Sequence, residues 1–291
     1  MTCSDERISP LERTTNWTVL LVLSILTVYG IFWMQKLHQD SYNVLWLVIV
    51  ASSITALATG FGAVPFLFGR CPQNKWVGIG NAVAAGLMLG ASISLLKEGW
   101  NIEGVTSAPL RLGVGAGVGV LLVLIAHKFL SGKEELTSPE AMKGADMKRM
   151  ILVVGVMTVH SFAEGMGVGV SYGDGNGFGD FIALSIAIHN IPEGLAICLI
   201  LIPEGTTVWR AALWSVFSSI PQPLVAVPAY LFVLWFRPLL PAGLGLAAGA
   251  MIWMVFFELL PEAKESLRST TTWLFLLLGT AAMLGFQYLV G

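Results

Sequence analysis

The sequence predicts an all-α fold, a polytopic helical membrane protein. Hydrophobic residues make up 55% of the 291 positions and charged residues only 12%, against about 25% charged in soluble domains. Mean hydropathy is +0.76. Apolar runs of roughly 18 residues or more recur along nearly the whole chain, each long enough to cross about 30 Å of hydrocarbon. The expected surroundings are therefore a lipid bilayer. No dense basic patch is present, which removes nucleic acid as a partner. Cys3, Cys71 and Cys198 form no CxxC pair and imply no disulfide framework.

Taken in order, residues 1–16 are polar, with both signs of charge, and precede an apolar run at 17–34. A secretory signal would leave the same trace, but acidic residues precede this run and no small-x-small cleavage site follows it. An uncleaved first helix within an N-terminal segment 1–40 is the reading adopted. Further runs cover 43–68, 76–96 and 108–130. A polar loop at 131–147 interrupts them, and five more follow near 149–171, 178–202, 207–236, 239–260 and 271–290. The expectation is nine spans, a leading helix plus a domain of eight at 43–291.

Lysine and arginine placement orients the chain. With a cytoplasmic N-terminus, twelve basic residues fall inside, from Arg7 and Arg13 through Arg70, Lys75, Lys128, Lys133, Lys143, Lys148, Arg149 and Arg210 to Lys264 and Arg268; Lys36, Lys97, Arg111 and Arg237, four in all, fall outside. Positive charge favours the cytoplasm. The 131–147 loop is thus cytoplasmic, and the 173–179 turn, with Asp174 and the adjoining Asp180, is external.

An internal repeat is visible. Ala84-Ala85-Gly86-Leu87-Met88 recurs as Ala247-Ala248-Gly249-Ala250-Met251, and the two spans end alike in Leu95-Leu96-Lys97-Glu98 and Leu259-Leu260-Pro261-Glu262. A three–two–three arrangement follows, with related triplets around a central pair. On the orientation above the triplets run in opposite directions, as in many secondary transporters.

The central pair carries the chemistry. His160-Ser161-Phe162-Ala163-Glu164-Gly165 and His189-Asn190-Ile191-Pro192-Glu193-Gly194 each place histidine and glutamate four residues apart. On a helix these positions share a face. Ionisable groups inside a membrane are expensive and mark function by default. Two imidazoles with two carboxylates suit a divalent transition metal, Zn²⁺ first, with Fe²⁺, Mn²⁺ or Cd²⁺ also accommodated. Pro192 removes one intrahelical bond, so local unwinding and a freed Ile188 carbonyl are expected. Gly165, Gly167 and Gly169, with Gly194 opposite, are expected to let the two helices approach closely.

These segments, with the Ala247–Met251 repeat and Glu258-Leu259-Leu260-Pro261-Glu262-Ala263, resemble the ZIP (Zrt/Irt-like) metal transporters, closest to their GufA-like branch. The resemblance covers roughly 43–291 and leaves the first helix as an addition. It implies an eight-helix core, an intramembrane metal site between the fourth and fifth core helices, and metal movement toward the cytosol. The residues it assigns are His160, Glu164, His189, Asn190 and Glu193, with Met88 adding a thioether. It also implies elevator-like movement of the helix block holding the site. Ser161 replaces an asparagine common in the family. Asn190 and Gln222 stand where members with a second adjacent metal supply carboxylates, so one strong site is expected. No resident prosthetic group is implied; the metal is cargo. A homodimer is left open, as is the choice between plasma and organelle membrane.

Plainer readings compete. Met88 fits packing as well as ligation. Gly113, Gly115, Gly117 and Gly119 lie within an apolar run and suggest close helix packing, and His127 is interfacial. Glu258 and Glu262 fit an exit path or a helix end, and Glu98 and Glu103 suit an exposed loop. Two other functional classes stay open. An intramembrane zinc hydrolase would also use buried histidines and acids, although no His-Glu-x-x-His pair is present. A structural or receptor-like protein would use the polar pairs only to join helices.

Overall fold

The computed structural model describes residues 10–39, 44–68, 74–102, 104–131, 142–202 and 205–290. Cys3, Cys71, Glu103 and most of the 131–147 loop lie outside the described residues. Among the described residues every regular element is helical. Hydrocarbon offers no water to a free peptide group, so a spanning chain must satisfy its backbone internally.

Among the described residues, eight segments are long and apolar enough to cross a membrane: Thr14–Lys36, Val44–Phe68, Lys75–Asn101, Ala108–Ile125, Asn176–Leu201, Val208–Trp235, Arg237–Ser266 and Ser269–Leu289. Each overlaps one expected run. The remaining run, near 149–171, lies in the helix Met142–Tyr172. In chain order the helices are α1 (Pro10–Gln39), α2 (Val44–Ala58), α3 (Asn74–Asn101), α4 (Ala108–Ser131), α5 (Met142–Tyr172), α6 (Asn176–Leu201), α7 (Val208–Ser218), α8 (Pro221–Trp235), α9 (Leu240–Met254), α10 (Leu260–Ser266) and α11 (Ser269–Val290).

The packing has the symmetry the repeat suggested. α3 runs along α11, and α9 runs along α4. The middle helix of each triplet thus lies on the last helix of the other. The repeated glycines make those approaches: a Cβ on Gly86 would strike α11 at Leu276 and Thr280, and one on Gly249 would strike α4 at Ala116. Gly115 and Gly119 meet the backbone of Ala242 and Leu246 on α9, while Gly113 and Gly117 have open space beside them. Close packing therefore accounts for two of those four glycines. The central helices join a second block, with α5 against α8, and α6 against α2 and the segment that follows it.

Three spans depart from a plain α-helix, all near the centre. α2 continues as a tighter 3-10 helix over Thr59–Phe68, which contains Gly60, Gly62 and Pro65; glycine and proline are the weakest α-formers. The span at Val208–Trp235 breaks between α7 and α8, where Pro221 opens α8 and has no N–H to continue the ladder. Between α9 and α10 lies a π-helical turn, Val255–Leu259. Such turns concentrate at functional sites.

Three sequence expectations change. α6 runs unbroken through Pro192, so its lost bond leaves no unwound segment. The α5 glycines do not set the α5–α6 distance: Gly165 faces the backbone of Gln222 and Gly169 that of Ala226, both on α8, while Gly194 faces Thr59. The periodicity placed these glycines on a close contact without identifying the partner helix. Glu98 is helical and part-buried in α3, which runs to Asn101.

α1 shows mostly exposed apolar side chains, including Leu21, Val28 and Phe32, on the face away from the bundle. Its inner face carries Leu20 and Leu23 into a cluster with Phe66, Leu67, Ile197 and Val208. Asn16 is buried there, and its Oδ1 accepts the Trp209 N–H at 3.1 Å. That bond satisfies one of the otherwise free donors at the start of α7.

Candidate metal site

α5 and α6 lie side by side, and the four-residue spacing turns each His/Glu pair inward. His160, Glu164, His189, Asn190 and Glu193 are all buried. One ligand atom from each of His160, Glu164 and His189 lies within 4.8 Å of the others. Both imidazoles converge on a single oxygen: Glu164 Oε1 is 3.1 Å from His160 Nε2 and 2.6 Å from His189 Nε2. Zinc bonds of about 2.0–2.1 Å arranged tetrahedrally put neighbouring ligand atoms ~3.3 Å apart. These three atoms are therefore close to ligand spacing and need only a small spread to admit a cation.

The second carboxylate is in a different state. Both oxygens of Glu193 are buried without a hydrogen-bond partner, as is His189 Nδ1. Burying an anion without compensation is costly. Glu193, His160 and His189 line a cavity with Met157 of α5 and with Met88 and Met254 from two further helices, α3 and α9, and Ala84, Glu258, Leu259 and Glu262 extend it toward α10. Its volume is about 20 Å³, room for one water-sized occupant.

The structure thus gathers His160, Glu164 and His189 directly, and places Glu193 and Met88 on the cavity that the two histidines line. Asn190 is held through its amide nitrogen, while its Oδ1 is buried without a hydrogen-bond partner. Its Nδ2 donates to the Thr55 carbonyl at 2.9 Å and to Gln222 Oε1 at 3.3 Å. Gln222 in turn donates from Nε2 to Glu164 Oε2 at 2.6 Å. Glu262 lies at the α10 end of the cavity, where Asn81 Nδ2 donates to its Oε2 at 3.1 Å. His127 is exposed, with its ring 5.5 Å from that of Trp253.

Sequence reasoning missed Met157 and Met254. Met254 contacts His160 Nδ1 through its sulfur. The one signal for it was position: it lies one helical turn beyond Met251, on the repeat counterpart of the helix that carries Met88. Met157 lies three residues before His160, on the same helix face. Gln222 was visible as a missing carboxylate, not as a partner of Glu164.

A family profile described as "ZIP Zinc transporter" matches residues 130–287. The Arabidopsis thaliana protein At3g08650 is 45% identical over 221 residues, which is 72% of this chain and 34% of that protein. The zinc transporter GufA of Myxococcus xanthus is 34% identical over 228 residues, 75% of this chain and 88% of GufA. The zinc transporter ZIPB of Bordetella bronchiseptica is 34% identical over 234 residues, 78% of this chain and 76% of ZIPB. The chain thus spans about a third of the plant protein and most of the two bacterial ones.

Proposed function

The chain belongs to the ZIP zinc transporter family, and from that premise we propose that it carries a divalent transition metal, Zn²⁺ first, across the membrane toward the cytosol. The single observation that carries this reading is the set of His160, Glu164 and His189 donor atoms within 4.8 Å, buried in a bundle of membrane-length helices. Glu193 and Met88 complete the donor set from the cavity wall. The relatives GufA and ZIPB are named as zinc transporters, and nothing favours the hydrolase alternative.

The metal is cargo, so its site must bind well enough to select and weakly enough to release. Imidazole nitrogens and carboxylate oxygens meet both demands for Zn²⁺, and Fe²⁺, Mn²⁺ and Cd²⁺ are the competing candidates. Glu258 and Glu262 extend the cavity toward α10 and offer oxygen donors to an ion leaving the histidines. The proposed direction, toward the cytosol, rests on the family resemblance; charge placement orients only the chain. The test is Zn²⁺ flux into proteoliposomes containing the full chain. Saturable uptake above that of protein-free vesicles is expected; no flux of any of the four metals would overturn the proposal.

Stoichiometry is a separate expectation. A cavity with room for one occupant, with amides at Asn190 and Gln222, favours one intramembrane Zn²⁺ per chain. Elemental analysis of purified, metal-saturated protein should return about one, and a value of two would refute it.

Metal affinity should also fall in acid. Only neutral imidazole ligates, so protons and metal compete for His160 and His189. Zn²⁺ binding is expected to weaken as the pH is lowered from neutral. An affinity that stays flat from neutral to acidic pH would exclude imidazole ligation.

A further inference from the structure

Resting on the transport-site reading above, the geometry points to Gln222 as a positioning residue that makes Glu164 a one-oxygen ligand and so biases the site toward ions of low coordination number. Gln222 is fully buried on α8 and is not among the side chains lining the cavity. It is the last link before Glu164 in a polar chain that runs through α2 and α6. The Thr55 carbonyl on α2 can only accept, so it fixes which end of the Asn190 amide faces it. The same Asn190 Nδ2 donates to Gln222 Oε1 at 3.3 Å, which turns the Gln222 N–H toward Glu164. That N–H then holds Glu164 Oε2 at 2.6 Å.

The consequence lies in donor counting. An ionised carboxylate can offer a cation both oxygens. Here Oε2 is occupied by an amide donor, and Oε1 alone faces the two imidazoles. Zinc accepts four donors in a tetrahedron, whereas Mn²⁺ favours six, mostly oxygen. Withholding one oxygen in a cavity of this size favours the four-coordinate ion. Hydrogen-bond partners of a metal's ligands typically alter affinity by about 10–100-fold when removed.

Gln222→Met keeps the length of the side chain and removes the donor. The experiment measures Zn²⁺ and Mn²⁺ affinity, and the flux of both ions, on the full chain with and without this substitution. The preference for Zn²⁺ over Mn²⁺ is expected to narrow by about tenfold or more. A loss of active protein alone would lower both ions alike and leave the ratio fixed, so an unchanged ratio overturns the inference. Co²⁺ bound to the purified protein gives a second readout. Its visible absorption should weaken as the freed Glu164 raises the coordination number, and an unchanged spectrum counts against the role. Should Gln222→Met not fold, Gln222→Leu also removes the donor without adding a metal ligand, and the same narrowing is required of it. If the unsubstituted chain binds none of these ions, the transport-site reading itself has failed, a result distinct from a wild type that binds metal and an unmoved ratio.

Discussion

Replacing Glu193 with alanine is expected to abolish saturable Zn²⁺ flux while leaving the metal-free protein at least as stable as the parent. The two halves of that expectation have one cause. Glu164 is satisfied before any metal arrives, by two imidazoles and the Gln222 amide. Glu193 is not: both its oxygens are buried without a partner. A side chain kept for stability would not be left this way, because an unpaired buried carboxylate costs several kcal/mol or forces its own neutralisation. An arriving dication supplies the missing counter-charge. With Glu193 as a proposed direct ligand, its loss should reduce metal affinity at least as much as the ~10–100-fold typical of an outer hydrogen-bond partner. The measurements are flux in proteoliposomes and the thermal melting of metal-free protein in detergent. Wild-type flux would remove Glu193 from the site. A large drop in melting temperature would make it structural.

How far the sequence reaches can be judged from the same residues. The four-residue spacing of His160 with Glu164 and of His189 with Glu193 was legible, since helical periodicity alone puts each pair on one face. The Ala-Ala-Gly repeat was legible too, and α3 and α9 do hold equivalent places, each along the last helix of the other triplet, although the repeat did not name those partners. What periodicity cannot carry is the identity of a partner across space. Gly165 and Gly169 were expected to meet α6 and instead meet α8. Asn190 was read only as a metal donor, and the bond that orients it, from its Nδ2 to the Thr55 carbonyl far away in sequence, was not visible. Met254 enters beside His160 from the third turn-distorted span, and a π-turn leaves little mark in a run of apolar residues. The outer boundaries were read closely for spans such as 44–68 and 108–131, whereas α1, α3 and α5 continue past the apolar runs into polar sequence. The hydrogen bonds that orient the ligands depend on contacts between elements distant in sequence, and no local pattern encodes those.

Gly194→Ala is expected to be among the most damaging single-methyl additions in the chain. Glycine at this position is required by contact. A Cβ there would run into the backbone of Thr59, and Gly62 faces the Gly194–Leu195 peptide from the same 3-10 segment. The two backbones are as close as side-chain-free residues permit. The surrounding bonds tighten the joint: Ser215 donates to the Gly194 carbonyl at 3.4 Å, and Thr59 Oγ1 donates to the Ser215 carbonyl at 3.2 Å. From outside, Leu23 of α1 packs against Gly60, so the segment is also backed at that end. Overpacking of a tight core costs about 1–3 kcal/mol, occasionally more, and here the struck atoms are backbone, which places Gly194→Ala at about 3 kcal/mol or beyond. Glu193 is the preceding residue, so any shift that relieves the clash also moves the ligand. A marked fall in melting temperature, with loss of Zn²⁺ flux from whatever protein survives, is the expected result. Gly117→Ala provides the contrast, because nothing lies within 4 Å of its added carbon. In mid-helix it should be neutral or gain up to ~1 kcal/mol. Equal melting temperatures for the two variants would mean that the 3-10 segment does not press on α6 as described, and the account of how Glu193 is held in place would fall with it.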